Sequence, residues 1–184
     1  MDNGAEFYRR FLDGDDSGIV DIIRDYKNGL VMYLNGITGN LSFAEEIMED
    51  TFFKLLTRKP KFSGRSTFKT WLYAIGRNTA YDKIRKNSRN PHTYMEAIYG
   101  EADESDLERD FLKEEQKITL HRAMWRLPSD YRQVLYLTFF EEFSNGEAAK
   151  IMSKNKRQIE NLIYRAKKSL KTELEKEDFE YEVI

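Results

Sequence analysis

The chain has 184 residues, no cysteine and a formal net charge of -2, and 40% of its residues are hydrophobic. This length holds one large domain or two small ones of about 80 residues each, and the apolar content excludes wholesale disorder. The lack of cysteine excludes disulfides and thiolate metal sites. No apolar run approaches the roughly 18 residues of a membrane span, and the start of the chain has no signal-peptide character. We therefore expect a cytoplasmic protein without direct membrane insertion.

The small net charge hides a strong segregation of charge along the chain. Residues 54–89 contain eleven lysines and arginines against one acid, Asp82. Residues 96–115 contain nine acids against Arg109 and Lys113, residues 154–171 are basic again, and the end of the chain is acidic. Two basic blocks separated by an acidic block indicate two anion-binding surfaces on separate modules.

The periodicity of the first 90 residues predicts a helical domain. Apolar residues recur at three- and four-residue steps, and turn-forming residues interrupt them at 14–17 and 36–40. Ser42 and Glu45 match a capping box, which predicts the start of a helix with a core stripe of Ala44, Ile47, Met48, Phe52, Leu55 and Leu56. After Pro60 we expect a loop, and then a helix from about residue 67 to residue 86.

Two surfaces of this first domain are candidates for binding. On the helix predicted from Ser42, the four-residue pairs Glu45–Glu49 and Glu46–Asp50 line up carboxylates that would attract a basic partner. Acids near a helix N-terminus are also favoured by its dipole alone, so this interpretation stays open. Residues 59–86 interleave basic and aromatic side chains, as single-stranded nucleic acid requires. Some of these aromatics have core spacing, which leaves Phe62, Tyr73, Arg77 and Asn78 as candidates.

Residues 91–115 read as a flexible acidic linker, followed by a second domain at 116–177 and an acidic tail at 178–184. A helix end near Leu127 and Pro128 precedes a helix from about residue 131 to residue 141. Capping boxes at Ser144–Glu147 and Asn155–Gln158 predict a short helix, a tight turn and a basic second helix. This is the helix-turn-helix arrangement, although an ordinary helical hairpin with a basic face remains open.

Three segments in this order resemble a known family, the bacterial RNA polymerase sigma factors. Residues 44–52 resemble the sigma helix that docks on the clamp coiled coil of core polymerase. Residues 62–82 are similar to the segment of these factors that reads the minus-ten element, with the pattern F-x-G, F-x-T-W-L-Y-x-I-x-R-N. Leu127, Pro128 and Arg132, with residues 147–152 and 164–167, resemble the domain that reads the minus-thirty-five element. The chain has no room for the further domain of larger sigma factors, so the resemblance is to the extracytoplasmic-function (ECF) class of the sigma-70 family.

The resemblance implies an all-α fold of two small helical domains, at 1–90 and 116–177, the second a helix-turn-helix. It implies a non-catalytic factor, without cofactor or metal, that binds the clamp coiled coil and the flap of core RNA polymerase. It further implies contacts with duplex and melted promoter DNA and regulation by an anti-sigma factor. The implied contact residues for core polymerase are Glu45, Glu46, Glu49 and Asp50; for the minus-ten element Phe62, Gly64, Arg65, Tyr73, Arg77, Asn78, Lys83 and Arg85; and for the minus-thirty-five element Lys154, Lys156, Arg157, Gln158, Asn161, Tyr164, Arg165 and Lys168.

Two other functions compete with this interpretation. A free-standing helix-turn-helix regulator with an N-terminal sensor or dimerisation domain would bind its operator unaided. A metal-dependent phosphodiester-cleaving enzyme would use the carboxylates of residues 45–50. Those carboxylates lie on a regular helix without a nearby histidine, and the sequence has no phosphate-cradling glycine loop or nucleophile motif, which argues against an enzyme.

Overall fold

The computed structural model of the protein describes residues 3–88 and 111–176, and within these ranges all regular structure is helical. The first module contains α1 (Gly4–Leu12), α2 (Ser17–Thr38), α3 (Leu41–Arg58) and α4 (Phe68–Ser88). The second contains α5 (Phe111–Trp125), α6 (Ser129–Leu135), α7 (Asn145–Met152) and α8 (Lys156–Glu175). The predicted all-α fold is confirmed, and no helix in the described ranges is long and apolar enough to cross a membrane.

The apolar faces of α1 to α4 meet in one core, as the sequence periodicity predicts. Its fully buried side chains include Tyr8, Ile22, Leu30, Leu34, Ile47, Leu55, Phe68 and Leu72. Two glycines permit close packing here. A Cβ at Gly18 would overlap the backbone of α1, and a Cβ at Gly4 would overlap the ring of Phe68. The core therefore fixes the directions in which α3 and α4 present their outer faces.

The connection between α2 and α3 is shorter than the sequence suggests. The loop predicted at residues 36–40 shrinks to two residues, because α2 continues to Thr38 and Gly39 ends it in the left-handed conformation, with φ of 72°. Asn40 is then extended, and its side chain accepts a hydrogen bond of 2.8 Å from the amide of Phe43. Asn40 is thus the N-cap of α3, and the predicted cap at Ser42 is wrong.

The second module is built around α8. Leu137, Ile151, Ile159 and Ala166 are fully buried or nearly so. The helix predicted at residues 131–141 begins earlier, at Ser129, and ends in a wider π-type turn (Tyr136–Phe140). In that turn the amide of Glu141 donates to the carbonyl of Tyr136 at 3.1 Å. The wider turn shifts the last residues of this element around its axis, which brings Glu141 to face the first module.

The two modules pack against each other, so that α6 lies on α2 and α7 lies on α4. Buried side chains of both modules form one continuous cluster. Arg132 connects the modules as well, since its guanidinium donates to the carbonyls of Leu127 at 2.8 Å and Gly36 at 3.0 Å. The sequence predicts two domains but not this contact. The predicted linker at 91–115 and tail at 178–184 lie outside the described residues, apart from the start of α5.

Candidate polymerase and nucleic-acid interfaces

The acidic face of α3 is exposed, but half of its carboxylates are paired within the chain. Glu45, Glu46 and Glu49 are exposed and Asp50 is half-buried. The ammonium of Lys83, on α4, lies 3.0 Å from Glu46 Oε2 and 2.9 Å from Asp50 Oδ2. Partial burial opposes the charge of Lys83, yet its hydrogen bonds to Asp50 and Glu46 raise its pKa. Among the described residues no ion pair holds Glu45 or Glu49, so these two carboxylates are the ones presented to a partner.

The same face carries an exposed aromatic residue that sequence reasoning missed. Phe53 lies one turn beyond Glu49 and is 62% exposed, and Leu56 beside it is 39% exposed. Placing Leu56 in the core stripe was wrong, because Phe52 and Leu55 already fill that side of the helix. No clear sequence signal marks this exposure, because adjacent residues of one helix can both be buried, as Tyr33 and Leu34 of α2 are. The outer face of α3 is therefore acidic at one end and apolar at the other.

The residues predicted for the minus-ten element differ in exposure and in the surface that they face. Arg65, Asn78 and Arg85 are exposed, and Gly64 lies in the loop before α4 with φ of 71°. Phe62 is half-buried, with its ring 5.2 Å from that of Trp71 and 5.7 Å from that of Phe68. Tyr73 is fully buried and Arg77 is half-buried, and both face the second module. Lys83 faces α3.

Tyr73 lies at the centre of the contact between the modules. Its ring is 5.5 Å from that of Tyr33 in α2 and 5.1 Å from that of Phe143. Its hydroxyl donates a hydrogen bond of 2.8 Å to Glu141 Oε2. Burial first, and then the neighbouring carboxylate of Glu141, raise the pKa of Tyr73. The phenol therefore remains protonated and continues to donate to Glu141.

Beside Tyr73, a buried polar network joins α4 to α6 through Gln133. The carboxamide oxygen of Gln133 accepts from Arg77 Nε at 3.3 Å and from the Tyr33 hydroxyl at 3.4 Å. Its nitrogen donates to the hydroxyls of Tyr81 and Ser129, both at 3.1 Å. The guanidinium of Arg77 also lies over the ring of Tyr81, at 4.5 Å from its centroid. Gln133 itself has no exposed surface, and its polar atoms are fully satisfied by this network.

The helix-turn-helix is formed by α7 and α8 as the sequence predicts. Both capping boxes are present, with Ser144 and Glu147 at the start of α7 and Asn155 and Gln158 at the start of α8. Ser153, with φ of 54°, ends α7 and allows the tight turn. Ile159 and Ala166 anchor α8 in the core, so the opposite face of the helix points outward.

Seven of the eight residues predicted for the minus-thirty-five element are exposed on this face: Lys156, Arg157, Gln158, Asn161, Tyr164, Arg165 and Lys168. Tyr164 is 72% exposed, more than any other large apolar side chain whose exposure the structure describes. Lys154 differs, because it lies in the turn before α8 and its ammonium is 3.2 Å from Asp130 Oδ2. A shallow cleft is lined by Lys154, Gln158, Asn161, Leu162 and Arg165. This exposed face has the donors that base edges and phosphates require.

Family models match both modules. Residues 22–90 match sigma-70 region 2, and residues 117–170 match sigma-70 region 4. Together the two matches span well over half of the chain.

Relatives of similar length carry consistent names. The RNA polymerase sigma factor YlaC of Bacillus subtilis is 29% identical over 160 residues, which are 86% of this chain and 92% of that protein. The ECF RNA polymerase sigma factor SigW of the same organism is 27% identical over 172 residues, which are 88% of this chain and 91% of that protein.

Solved structures share the fold. CnrH in complex with the cytosolic domain of CnrY matches with a TM-score of 0.62 and 17% identity, over 94% of each chain. The sigma factor RpoE of Bartonella quintana, in complex with the anti-sigma factor NepR, matches with a TM-score of 0.63 and 23% identity, over 84% of this chain and 97% of that one. With a region 2 module, a region 4 module and relatives named as ECF factors, the chain belongs to the sigma-70 family of RNA polymerase sigma factors and to its ECF class.

Proposed function

We propose that this sigma factor binds core RNA polymerase through the outer face of α3, and that α4 and α8 read the two promoter elements. The observation that carries the proposal is the exposure of three separate surfaces with suitable chemistry on one chain. These are the carboxylates of Glu45 and Glu49 beside Phe53, the basic residues around α4, and the outward face of α8. In this role the chain selects promoters without catalysing a reaction itself.

The face of α3 is suited to a basic partner with an apolar patch. Glu45 and Glu49 are one helical turn apart, and Phe53 follows one turn later, so the three side chains lie in a row. Charged rims steer association and set specificity, while a central aromatic side chain supplies most of the binding energy. We expect Phe53 to be the apolar anchor and the two glutamates to orient the polymerase on it.

The promoter contacts follow from the basic surfaces. In α8, Arg157 and Arg165 can pair with guanine edges and Asn161 with adenine edges, while Lys156 and Lys168 suit phosphates. In the first module, we expect Phe62 and the loop at Gly64 to receive an unstacked base, and we expect the exposed Arg65, Asn78 and Arg85 to contact the melted strand. Tyr73 and Arg77 become available to DNA only when the second module moves away.

An anti-sigma factor is a further proposed partner. The solved complex of the sigma factor RpoE with the anti-sigma factor NepR is a sigma factor of this fold bound to an anti-sigma factor. We expect the same class of regulator here, and a cytoplasmic site of action, because core polymerase and promoter DNA are found there. A free-standing regulator, the competing function, would not account for the region 2 match over residues 22–90.

The test measures binding to core RNA polymerase and run-off transcription with a variant in which two carboxylates of α3 are replaced by lysine. We expect the double variant Glu45→Lys, Glu49→Lys to lose core binding by at least about tenfold, because it replaces the two unpaired carboxylates with the charge of the basic partner. The control is Glu6→Lys, Glu175→Lys, which makes the same change in net charge at two exposed sites on other helices.

Circular dichroism should show both variants to be folded. If the wild type ignores core polymerase and binds duplex DNA alone, the proposal is wrong and the chain acts as a free-standing regulator. If the α3 variant and the control lose core binding equally, the α3 assignment is wrong.

A further inference from the structure

The second module places two carboxylates on the face of α4 that is predicted to meet the melted strand. Glu141 Oε2 is 2.8 Å from the ammonium of Lys69. Glu147 Oε1 accepts from the hydroxyls of Thr70 at 3.2 Å and Thr67 at 3.3 Å. Two further hydrogen bonds join the two modules beside these carboxylates. Lys69 donates to the backbone carbonyl of Glu141 at 3.1 Å, and Lys150 donates to the carbonyl of Arg65 at 2.9 Å.

The groups that hold these carboxylates are those that hold a phosphodiester. Ammonium and hydroxyl donors are among the commonest contacts of proteins with DNA phosphates. Lys69, Thr67 and Thr70 lie between Arg65 and Tyr73 in the sequence, on the α4 side of the interface. They therefore lie among the predicted DNA contacts although they were not predicted as contacts themselves. Hydrogen bonds from Ser144, Thr70 and Thr67 outweigh partial burial and lower the pKa of Glu147, so this side chain is an anion as a phosphate is.

We propose that the packed arrangement of the two modules is a self-blocked state, in which Glu141 and Glu147 take the place of backbone phosphates of single-stranded DNA on Lys69, Thr67 and Thr70. This inference rests on the proposed function and adds three residues to the strand-binding surface. The second module and the melted strand then exclude each other. The free protein binds the strand poorly, and separation of the modules is required before promoter melting can be stabilised.

Single-stranded DNA can reach the ion pair between Lys69 and Glu141 from solvent. An open cleft of about 420 Å³, lined by residues that include Asp25, Lys69, Tyr73 and Glu141, leads from solvent to the ion pair. The carboxylate of Glu141 fits closely because α2 has a glycine opposite it. A Cβ at Gly29 would overlap Glu141 Oε1 and the Tyr73 hydroxyl. An alanine at position 29 would therefore displace the carboxylate without changing the charge of the protein.

The first experiment measures the affinity of the free protein for a fluorescein-labelled, mixed-sequence DNA oligonucleotide by fluorescence anisotropy. We expect the double variant Glu141→Gln, Glu147→Gln to bind the oligonucleotide about tenfold more tightly than the wild type. This is the gain expected if roughly nine wild-type molecules in ten have their modules packed together and cannot bind the strand. Glutamine at position 147 retains the capping box of α7. The control is Glu6→Gln, Glu175→Gln, which removes two exposed carboxylates elsewhere, so it shows the gain that comes from net charge alone.

Two further variants separate displacement from charge. Gly29→Ala should also raise the affinity for the oligonucleotide, with no change of charge. Lys69→Gln, added to the double variant Glu141→Gln, Glu147→Gln (the glutamate variant), should remove most of the gain in affinity. Spin labels on Thr57→Cys and Thr172→Cys, one exposed site in each module, report separation directly in a chain without native cysteine. We expect a narrow distance distribution for the wild type and a broad one for the glutamate variant.

The proposal is overturned if the glutamate variant gains no more affinity than its control, or if the wild-type distance distribution is already broad. These outcomes are distinct from failure of the proposed function. A protein that supports core-dependent transcription but shows no gain on opening is a sigma factor without the self-block. A protein that fails in transcription with every variant is not a sigma factor of the proposed kind.

Discussion

At the scale of single residues, Lys83 shows that a basic residue in a predicted DNA-binding segment can pair with another surface of the same chain. The sequence places it among the minus-ten contacts because it follows the aromatic, basic stretch of α4. In the structure its ammonium bridges Glu46 and Asp50 of α3 and lies 5.8 Å from the ring centroid of Phe43. Lys83 therefore pairs with two of the four carboxylates on the face that core polymerase is expected to bind.

We predict that Lys83→Gln strengthens binding to core polymerase. Freeing Glu46 and Asp50 should raise the affinity by up to about fivefold, since an exposed ion pair contributes roughly 0.2–1 kcal/mol. The measurement is a competition binding curve with labelled core polymerase. Arg85→Gln is the matched control, because it removes the same charge from the same helix but its partner, Asp82, lies on α4 itself. Weaker core binding by Lys83→Gln alone would mean that Lys83 contacts the polymerase or shapes α3 for it.

At the scale of elements, capping patterns in the sequence predict two helix starts correctly and one wrongly. The boxes at Ser144 and Asn155 are confirmed, because each of these capping residues is itself extended and precedes an apolar stripe. The same S-x-x-E pattern at Ser42 fails, because Asn40 is extended and caps the helix two residues earlier. The π-type turn at Tyr136–Phe140 has no such local signal in the sequence.

We predict that the cap of α8 contributes to both stability and promoter binding. Asn155→Ala should lower the free energy of unfolding by about 0.5–2 kcal/mol, because it leaves the amide of Gln158 without its partner. The frayed first turn should also weaken binding of holoenzyme to duplex minus-thirty-five DNA, since Lys156 and Arg157 lie there. Urea unfolding and fluorescence anisotropy measure the two effects. Asn155→Ser retains a capping oxygen and is the control; equal unfolding midpoints for the two variants would contradict the prediction.

At the scale of the whole molecule, the sequence predicts two helical modules but not their contact. Tyr73 and Arg77 have the helical positions of surface residues, and nothing near them in the sequence indicates burial. What buries them is Glu141, Phe143 and Gln133, which come from a distant part of the chain. Periodicity finds the faces of a helix that are apolar; it does not find a polar face that meets a complementary polar face. The interface is for that reason the part of the molecule that only the structure reveals.

The contact between the modules has a consequence for cooperativity that two native tryptophans can report. Trp71 lies in the first module, 5.4 Å from the ring of Tyr8, and Trp125 lies in the second, under the guanidinium of Arg132. Trp125→Phe leaves a reporter of the first module, and Trp71→Phe leaves a reporter of the second. Because the buried cluster is continuous across the interface, we predict coincident urea transitions for the two reporters.

Adding Gln133→Leu to each single-tryptophan protein should separate these transitions. The leucine leaves the buried Tyr33 hydroxyl and the half-buried Arg77 and Tyr81 without their shared partner, and a buried unsatisfied group costs about 1–3 kcal/mol. The penalty falls on the interface, so the modules should unfold at different urea concentrations while each keeps its own core. Separate midpoints before the substitution would mean that the modules are already independent in solution. Coincident midpoints after it would mean that apolar packing, and not the Gln133 network, couples the two halves of the molecule.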